Sequence, residues 1–255
     1  IRAARIPYDV PEAKALPARV EGVLRVVYLV FNEGYAATAG DTLVRGETCA
    51  EAIRLGRLLK ALLPDVREVA GLLALMLLHD SRRAARLDAK GDLVTLEEQD
   101  RTLWDQDQIA EGRTLAEETL RRGGVGFYGL QAAIAALHAQ AGKAEDTDWP
   151  QIAALYALLL RLHPSPVVAL NHAAAIAMGE RLDRGLRLLE QLEATGDLDG
   201  YHLLPAAKAD VLRRLGRSEE AALEYEKALA RVTHAAERRY LERRLREAHA
   251  GAGPR

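Results

Sequence analysis

The chain is short of cysteine, of aromatic side chains and of net charge. Its single cysteine, Cys49, permits neither an internal disulfide nor a cysteine-cluster metal site, which is typical of a protein of the reducing cytosol. Aromatic residues make up 5% of the 255 positions, so the core must be built from Leu, Ala, Val and Ile. The 35 basic and 37 acidic residues give a net charge of −2, which does not fit a strongly basic nucleic-acid-binding domain.

Long hydrophobic runs are also missing. The most apolar stretch, VAGLLALMLL (69–78), is shorter than the roughly 20 residues that a membrane-spanning helix needs. It therefore predicts the central buried helix of a soluble bundle. No signal peptide follows Ile1, so we expect a cytoplasmic protein without a membrane partner. Because the chain begins without methionine, we also expect a fragment of a longer protein.

Residue patterns that would indicate catalysis are scarce. The run GGVGFYG (123–129) lacks the Lys-Ser/Thr pair of a phosphate-binding loop, and no serine lies in a Gly-x-Ser-x-Gly turn. His79-Asp80 has no companion ligands at metal-binding spacing. The acidic residues are spread over separate predicted helices, so no catalytic pair is defined. We therefore predict no enzyme, no metal and no cofactor.

What the sequence does contain is helical periodicity, and Ala and Leu are strong helix formers. Val, Tyr and Phe in the first segment would suit a strand, but its length and charges favour a helix that Gly34 ends in a left-handed conformation. Thr95 and Glu98 resemble a capping box, which predicts a helix start near residue 96. The predicted helices span 16–31, 47–63, 65–88, 96–120, two segments within 128–164, 167–178, 183–193, 201–215, 218–231 and 234–248.

The second half of the chain has the pattern of tetratricopeptide (TPR) hairpins, in which small residues let antiparallel helices approach. The clearest hairpin lies near the C-terminal end, and a looser version of its pattern occurs about 37 residues earlier. We expect three such hairpins and a final helix, which together would bury a shared core. A generic helical bundle is the alternative. The small and large positions of the clearest hairpin are Ala209, Leu212, Gly216, Ala221, Tyr225 and Ala228.

The predicted fold is thus all-α, with an N-terminal helical bundle followed by TPR-like antiparallel hairpins. We divide the chain into a linker at 1–15, a helical domain at 16–124 and a TPR-like repeat domain at 125–250. The boundary is placed at the Arg121-Arg122-Gly123-Gly124 sequence, where basic residues and glycines are typical of a helix end.

Four polar clusters beside apolar helices are the candidate functional residues. They form either helix caps and ion pairs, with Arg82 and Arg83 pairing to Asp100 or Asp105, or one groove that recognises a partner or a ligand. The C-terminal arginines alternate with glutamates, which favours a solvated, ion-paired helix. The clusters comprise Asn32, Glu33 and Tyr35; Asp80, Arg82 and Arg83; Gln99, Asp100, Arg101, Trp104 and Asp105; and Asp146, Asp148 and Trp149.

Eight segments in the same order resemble the long C-terminal extension, of DUF6596 type, found in one group of extracytoplasmic-function (ECF) RNA polymerase sigma factors. The resemblance covers nearly the whole chain. The segments are YLVFNEGY (28–35), GLLALMLLHDSRRAAR (71–86), LVTLEEQDRTLWD (93–105), YGLQAAIAALHA (128–139), DTDW (146–149), LYALL (155–159), SPVVALNHAAA (165–175) and ADVLRRLGRSEEA (209–221).

The resemblance implies that residues 1–15 follow sigma region 4, and that regions 2 and 4, which bind promoter DNA, lie outside these 255 residues. It implies a regulatory region that controls sigma activity by contacting regions 2 and 4 and the RNA polymerase core, with no direct DNA binding of its own. A protein–protein interaction module is our first hypothesis. A domain that senses a small-molecule effector is the second.

Overall fold

The computed structural model describes residues 16–36, 44–121, 126–179 and 181–251, and within these ranges it contains eleven α-helices and no strand. The predicted all-α fold is confirmed. The predicted linker at 1–15 and the boundary residues 122–124 lie outside the described residues. The helices are α1 Leu16–Tyr35, α2 Gly46–Leu62, α3 Arg67–Asp80, α4 Gln106–Arg121, α5 Phe127–Gln140, α6 Trp149–Leu162, α7 Pro166–Met178, α8 Leu182–Thr195, α9 Leu203–Arg214, α10 Ser218–Leu229 and α11 Ala235–Gly251.

Helix α3 is the centre of the N-terminal half. Its residues from Gly71 to Leu78 are all buried, because α1, α2, α4 and α5 pack around it. A helix that is apolar all round needs neighbours on every side, as the sequence of this segment predicted. Gly71 lies directly against Gly129 of α5, where a Cβ atom on Gly71 would be 2.7 Å from the Gly129 nitrogen. The absence of a side chain at this crossing lets the two backbones touch.

Helix α5 joins the two halves. Tyr128, Ala132 and Ala135 belong to the core around α3, whereas Leu130 and Ile134 pack on the opposite side against α6 and α7. This helix therefore buries two faces, in keeping with its nearly charge-free sequence.

Helices α7 to α11 form a second core in which consecutive helices pack on each other. Gly216 ends α9 with a φ of 74° and turns the chain into α10. Gly185 of α8 lies against Ala177 of α7, where a Cβ atom would come within 2.5 Å of the alanine methyl group. The other predicted TPR packing residues, Ala209, Leu212, Ala221, Tyr225 and Ala228, are all buried at the α9–α10 contact or beside it.

Two predicted helix bounds are wrong around residues 81–105, which we call the connecting loop. The helix predicted to continue to 88 ends at Asp80, and the helix predicted to begin near 96 begins at Gln106. The Thr95 hydroxyl is bonded to the Glu98 carboxylate, so it caps no helix. Asp105 provides the cap of α4 instead, because its Oδ1 accepts from the Gln108 nitrogen at 3.0 Å.

The predicted left-handed conformation of Gly34 is also wrong. Gly34 lies inside α1, which continues to Tyr35, and the described glycines with positive φ are Gly91, Gly196 and Gly216. A Cβ atom on Gly34 would be 2.7 Å from the Cys49 nitrogen and 3.0 Å from the Arg45 oxygen. Glycine is needed here because the start of α2 packs directly on the α1 backbone.

Candidate functional site

The connecting loop reaches across the molecule to the C-terminal helices. Nη2 of Arg214 in α9 lies 2.5 Å from Oε2 of Glu97, and Nη2 of Arg244 in α11 lies 2.8 Å from Oε1 of Glu98. Arg243 adds a second contact to Glu98 at 3.4 Å. The predicted ion pairing of the C-terminal helix therefore occurs largely across the fold, with a local pair from Arg244 to Glu247.

A cavity of about 610 Å³ lies beneath this contact, between the connecting loop, the start of α6 and helices α9 and α11. This volume is within the usual range of small-molecule sites. Polar and apolar side chains both line it, and they come from six separate segments of the chain. They include Leu96, Arg101, His138, Trp149, Arg214 and Tyr240.

Arg101 is the predicted site residue with the most specific placement. Its Nη1 donates to the backbone oxygens of His138 at 2.8 Å and Ala141 at 2.6 Å, so it binds the carboxyl end of α5. Its guanidinium carbon lies 4.5 Å from the centre of the Trp104 ring. Burial, together with the positive charge of Arg82, lowers the pKa of Arg101. The side chain is fixed in position at the cavity wall.

His138 is a cavity residue that the sequence did not indicate. Its ring packs edge-on against Trp149 with the ring centres 5.2 Å apart, and its buried Nδ1 has no hydrogen-bond partner among the described residues. Burial and the charges of Arg82 and Arg101 lower the pKa of His138 to about 4. The imidazole is therefore neutral at pH 7.

The clusters at 32–35 and 80–86 meet beside α3. The Arg86 guanidinium carbon lies 3.6 Å from the Tyr35 ring centre, and Arg86 donates to the Tyr35 backbone oxygen. The His79 ring packs edge-on against the same tyrosine at 5.1 Å. Tyr35 is thus held between α3 and the connecting loop. Asn32 bonds to Tyr28, and Glu33 pairs with Arg45 at 3.1 Å.

Among the described residues, Arg82 and Arg83 form no ion pair with Asp100 or Asp105, although the Arg83 charge helps to lower the pKa of Asp105. Nη2 of Arg82 lies 2.9 Å from Nδ1 of His79, and Nη1 of Arg83 lies 3.5 Å from Oδ1 of Asp80. Both contacts follow from i, i+3 spacing at the end of α3, where the chain still turns helically. Burial raises the pKa of Asp80, although the Arg83 charge lowers it in part.

Several of the predicted acidic residues act as caps. Asp100 accepts from the Thr102 nitrogen at 2.9 Å, and Asp148 accepts from the Gln151 nitrogen at 3.0 Å at the start of α6. Gln99 donates to the Val94 oxygen at 3.2 Å within the connecting loop. Asp146 is exposed in a short turn beside the cavity. Asp100, Asp148 and Gln99 thus stabilise local structure, and none of these four residues lines the cavity.

Of the predicted cluster residues, Arg101 and Trp149 line the large cavity, and Arg82 and Trp104 line a neighbouring one of about 140 Å³ that shares His138 with it. Sequence reasoning missed His138, Arg214 and Tyr240 as cavity residues. No local signal could identify them, because they become neighbours only when α5, α9 and α11 pack together.

A second surface feature lies on α1. Val26 and Leu29 are 60% and 65% exposed, and Val23 is exposed beside them. A groove of about 960 Å³ runs along this helix between Leu29, Tyr28 and Phe127. We call Val23, Val26 and Leu29 the α1 surface.

Two kinds of feature do not occur among the described residues. No helix of the part of the chain that the structure describes is both long and apolar enough to span a bilayer. In the same residue ranges, no three His, Cys, Asp or Glu side chains converge as metal ligands would.

Comparison with known proteins finds a matching family, a sequence relative and a similar solved structure. DUF6596, described as a family of unknown function, matches residues 19–120. A protein of Rhizobium meliloti (strain 1021), "Uncharacterized protein R00370", is 43% identical over 254 residues that cover 100% of this chain. This chain spans 59% of that relative's length. A crystal structure of a thermophilic TPR protein of Thermus thermophilus covers 90% of this chain and 98% of its own, with a TM-score of 0.58 at 18% identity.

Proposed function

We propose that this chain is the regulatory region of an ECF-type sigma factor and controls that factor by binding protein. Its partners are sigma regions 2 and 4 and the RNA polymerase core, in the cytoplasm, and it neither catalyses a reaction nor binds promoter DNA. The match of residues 19–120 to DUF6596 and the TPR-like fold support a helical interaction module. The sigma-factor context rests on the resemblance of the ordered sequence segments.

The observation that carries the proposal is the α1 surface. Three apolar side chains on one helix are exposed together, and contiguous exposed apolar patches mark interaction sites more often than single exposed residues do. The resemblance places sigma region 4 just before α1. A region joined to the chain at that point would be held near the α1 surface at a high effective concentration.

The test measures binding of this chain to sigma regions 2 and 4 supplied as a separate polypeptide. Substituting Val26→Asp and Leu29→Asp together should weaken binding at least ten-fold, since burying two carboxylates in an apolar contact is unfavourable. Leu223→Asp is the matched control, because Leu223 is 59% exposed on α10, away from α1. Circular dichroism would check that all variants keep their helices. Equal binding by the double variant and the wild type, or no contact with regions 2 and 4 or the polymerase, would contradict the proposal.

The cavity favours a second candidate function, a small-molecule sensor that controls the same sigma factor. The cavity is large enough for a metabolite, and its walls combine the connecting loop with both halves of the fold. A ligand there would contact segments of the chain that become neighbours only when the connecting loop packs on the C-terminal helices. Adding the ligand would then change the affinity for sigma regions 2 and 4, whereas a purely structural cavity would leave that affinity unchanged.

A further inference from the structure

The three arginines that line the large cavity differ in how their charges are balanced. Arg214 pairs with Asp210 and Glu97, and Arg244 pairs with Glu98 and Glu247. Arg101 forms no ion pair among the described residues. Its Nη1 donates hydrogen bonds to the backbone oxygens of His138 and Ala141. Its Nε and Nη2 make no hydrogen bond to the residues that the structure describes. Arg101 therefore brings to the cavity wall a positive charge that is in no ion pair among the described residues, together with free donors.

Other parts of the cavity wall are apolar and aromatic. Trp149 and Tyr240 present aromatic rings, and Leu96 and Met178 add apolar surface. The neutral His138 carries an unpartnered Nδ1. Such a wall suits a molecule with an apolar body, because aromatic rings stabilise planar and aliphatic groups placed against them.

No acidic side chain pairs directly with Arg101 among the described residues, although the charges of Asp146 and Glu145 offset part of the lowering of its pKa. Glu97 and Asp210 are already held by Arg214. Glu145 is exposed at the rim, where water and salt screen its field. A carboxylate could accept two hydrogen bonds from the fork of a guanidinium, which is the geometry that this side chain recognises best.

We propose that the cavity binds a small organic anion, with its carboxylate on Arg101 and its apolar body between Trp149 and Tyr240. This deepens the second of the proposed functions by naming the chemistry of the effector. The ligand contacts the connecting loop, α6 and α11 together, so its binding stabilises the contact between the connecting loop and the C-terminal helices.

Benzoate is a suitable first probe, and intrinsic tryptophan fluorescence is a suitable readout. Both tryptophans of the chain are close to the site, since Trp149 lines the cavity and Trp104 stacks on Arg101. Benzoate should change the fluorescence in a saturable way, with a Kd in the millimolar range expected of so small a ligand. Benzyl alcohol has the same ring without the charge and should bind at least ten-fold more weakly.

Two substitutions separate recognition from folding. Arg101→Met should abolish benzoate binding, and Arg101→Lys should keep part of it, because lysine retains the charge without the fork. Glu145→Gln should strengthen binding about two-fold, since an exposed negative charge near the anion is removed. The matched control is Glu226→Gln, an exposed position on α10 outside the cavity, which should leave the Kd unchanged.

The proposal is overturned if benzoate, at about 10 mM, gives no saturable change in tryptophan fluorescence. Equal affinities for benzoate and benzyl alcohol, or an unchanged Kd in Glu145→Gln together with Arg101→Met, would also overturn it. None of these results bears on binding to sigma regions 2 and 4, which is measured separately. If benzoate binds but leaves that contact unchanged, the sensor function is contradicted and the binding site is retained.

Discussion

Nη2 of Arg244 donates a hydrogen bond of 2.8 Å to Oε1 of Glu98, although the two residues are 146 positions apart. The neighbouring pair of Arg239 with Asp92 and the bond from Arg239 to the Gly91 oxygen at 3.0 Å extend the same contact. The C-terminal helix is thus tied to the connecting loop through charged groups. A contact of this kind responds to pH and to salt more strongly than an apolar one does.

The contact should weaken in acid. Burial alone would raise the pKa of Glu98, but the Thr95 hydroxyl, Arg244 and Arg243 outweigh it, and the pKa is lowered from 4.5. A carboxyl group with a lowered pKa stabilises the fold above its unfolded pKa, and this stabilisation is lost as the pH falls through the folded value. We expect full protection of the loop amides at pH 5 to 7 and faster hydrogen exchange below about pH 4.5, after correction for intrinsic rates.

Glu98→Gln is the control for this pH effect. Glutamine cannot ionise, so the variant should lose protection in the connecting loop already at pH 7 and show a flatter pH dependence. An identical pH dependence in the variant and the wild type would show that another group controls the loop.

We expect opposite effects on stability for two glycine-to-alanine substitutions, one at the α3–α5 crossing and one on an exposed face of α1. Gly71→Ala would place a methyl group 2.7 Å from the Gly129 nitrogen and 3.0 Å from its Cα atom, and backbone atoms cannot move aside as a flexible side chain can. We expect a loss of about 1–3 kcal/mol in the free energy of unfolding, measured by urea denaturation. Gly22→Ala lies on exposed α1 with nothing within 4 Å of the new methyl group. It should gain up to about 1 kcal/mol from helix propensity. A stabilising Gly71→Ala would contradict the close backbone contact.

The sequence predicted the helices well where the pattern is set by burial. The all-apolar segment of α3 could only be a helix surrounded by others, and it is. The sequence predicted helix ends wrongly where one local motif is compatible with two different structures. Thr95 with Glu98 resembles a capping box, but Asp105 caps the helix, and the Thr95 hydroxyl bonds the Glu98 side chain. Gly34 resembles a helix terminator, but it is needed for the approach of α2.

The candidate site was less predictable than the fold, because the residues that line the cavity are far apart in the sequence. Arg101 and Trp149 were selected for their residue types, yet no feature of the sequence joins them to Tyr240. Likewise, the arginines of α11 could have paired with the glutamates of the same helix. The choice of Glu98 depends on how the connecting loop crosses α11, which is a tertiary property.

The last prediction concerns Lys208, a buried cation that links three TPR-like helices. Its Nζ lies 2.5 Å from Oε2 of Glu193 and 2.9 Å from Oε1 of Glu224, and the Lys208 and Glu224 side chains are only 7% and 9% exposed. Lys208→Met leaves the Glu224 carboxylate with Lys227 as its cation, at 2.8 Å. We expect a loss of about 2–3 kcal/mol in the free energy of unfolding, measured by urea denaturation, because a buried charge loses one of its partners.

Two further variants test the cause of that loss. Lys227→Met removes a half-exposed partner of the same carboxylate and should cost less than about 1 kcal/mol. Adding Glu224→Met to Lys208→Met should recover most of the lost stability, because the pair is then replaced by apolar side chains of similar volume. If the double variant is as unstable as Lys208→Met alone, the loss arises from the packing of the lysine stem, and the charge balance between α8, α9 and α10 contributes little.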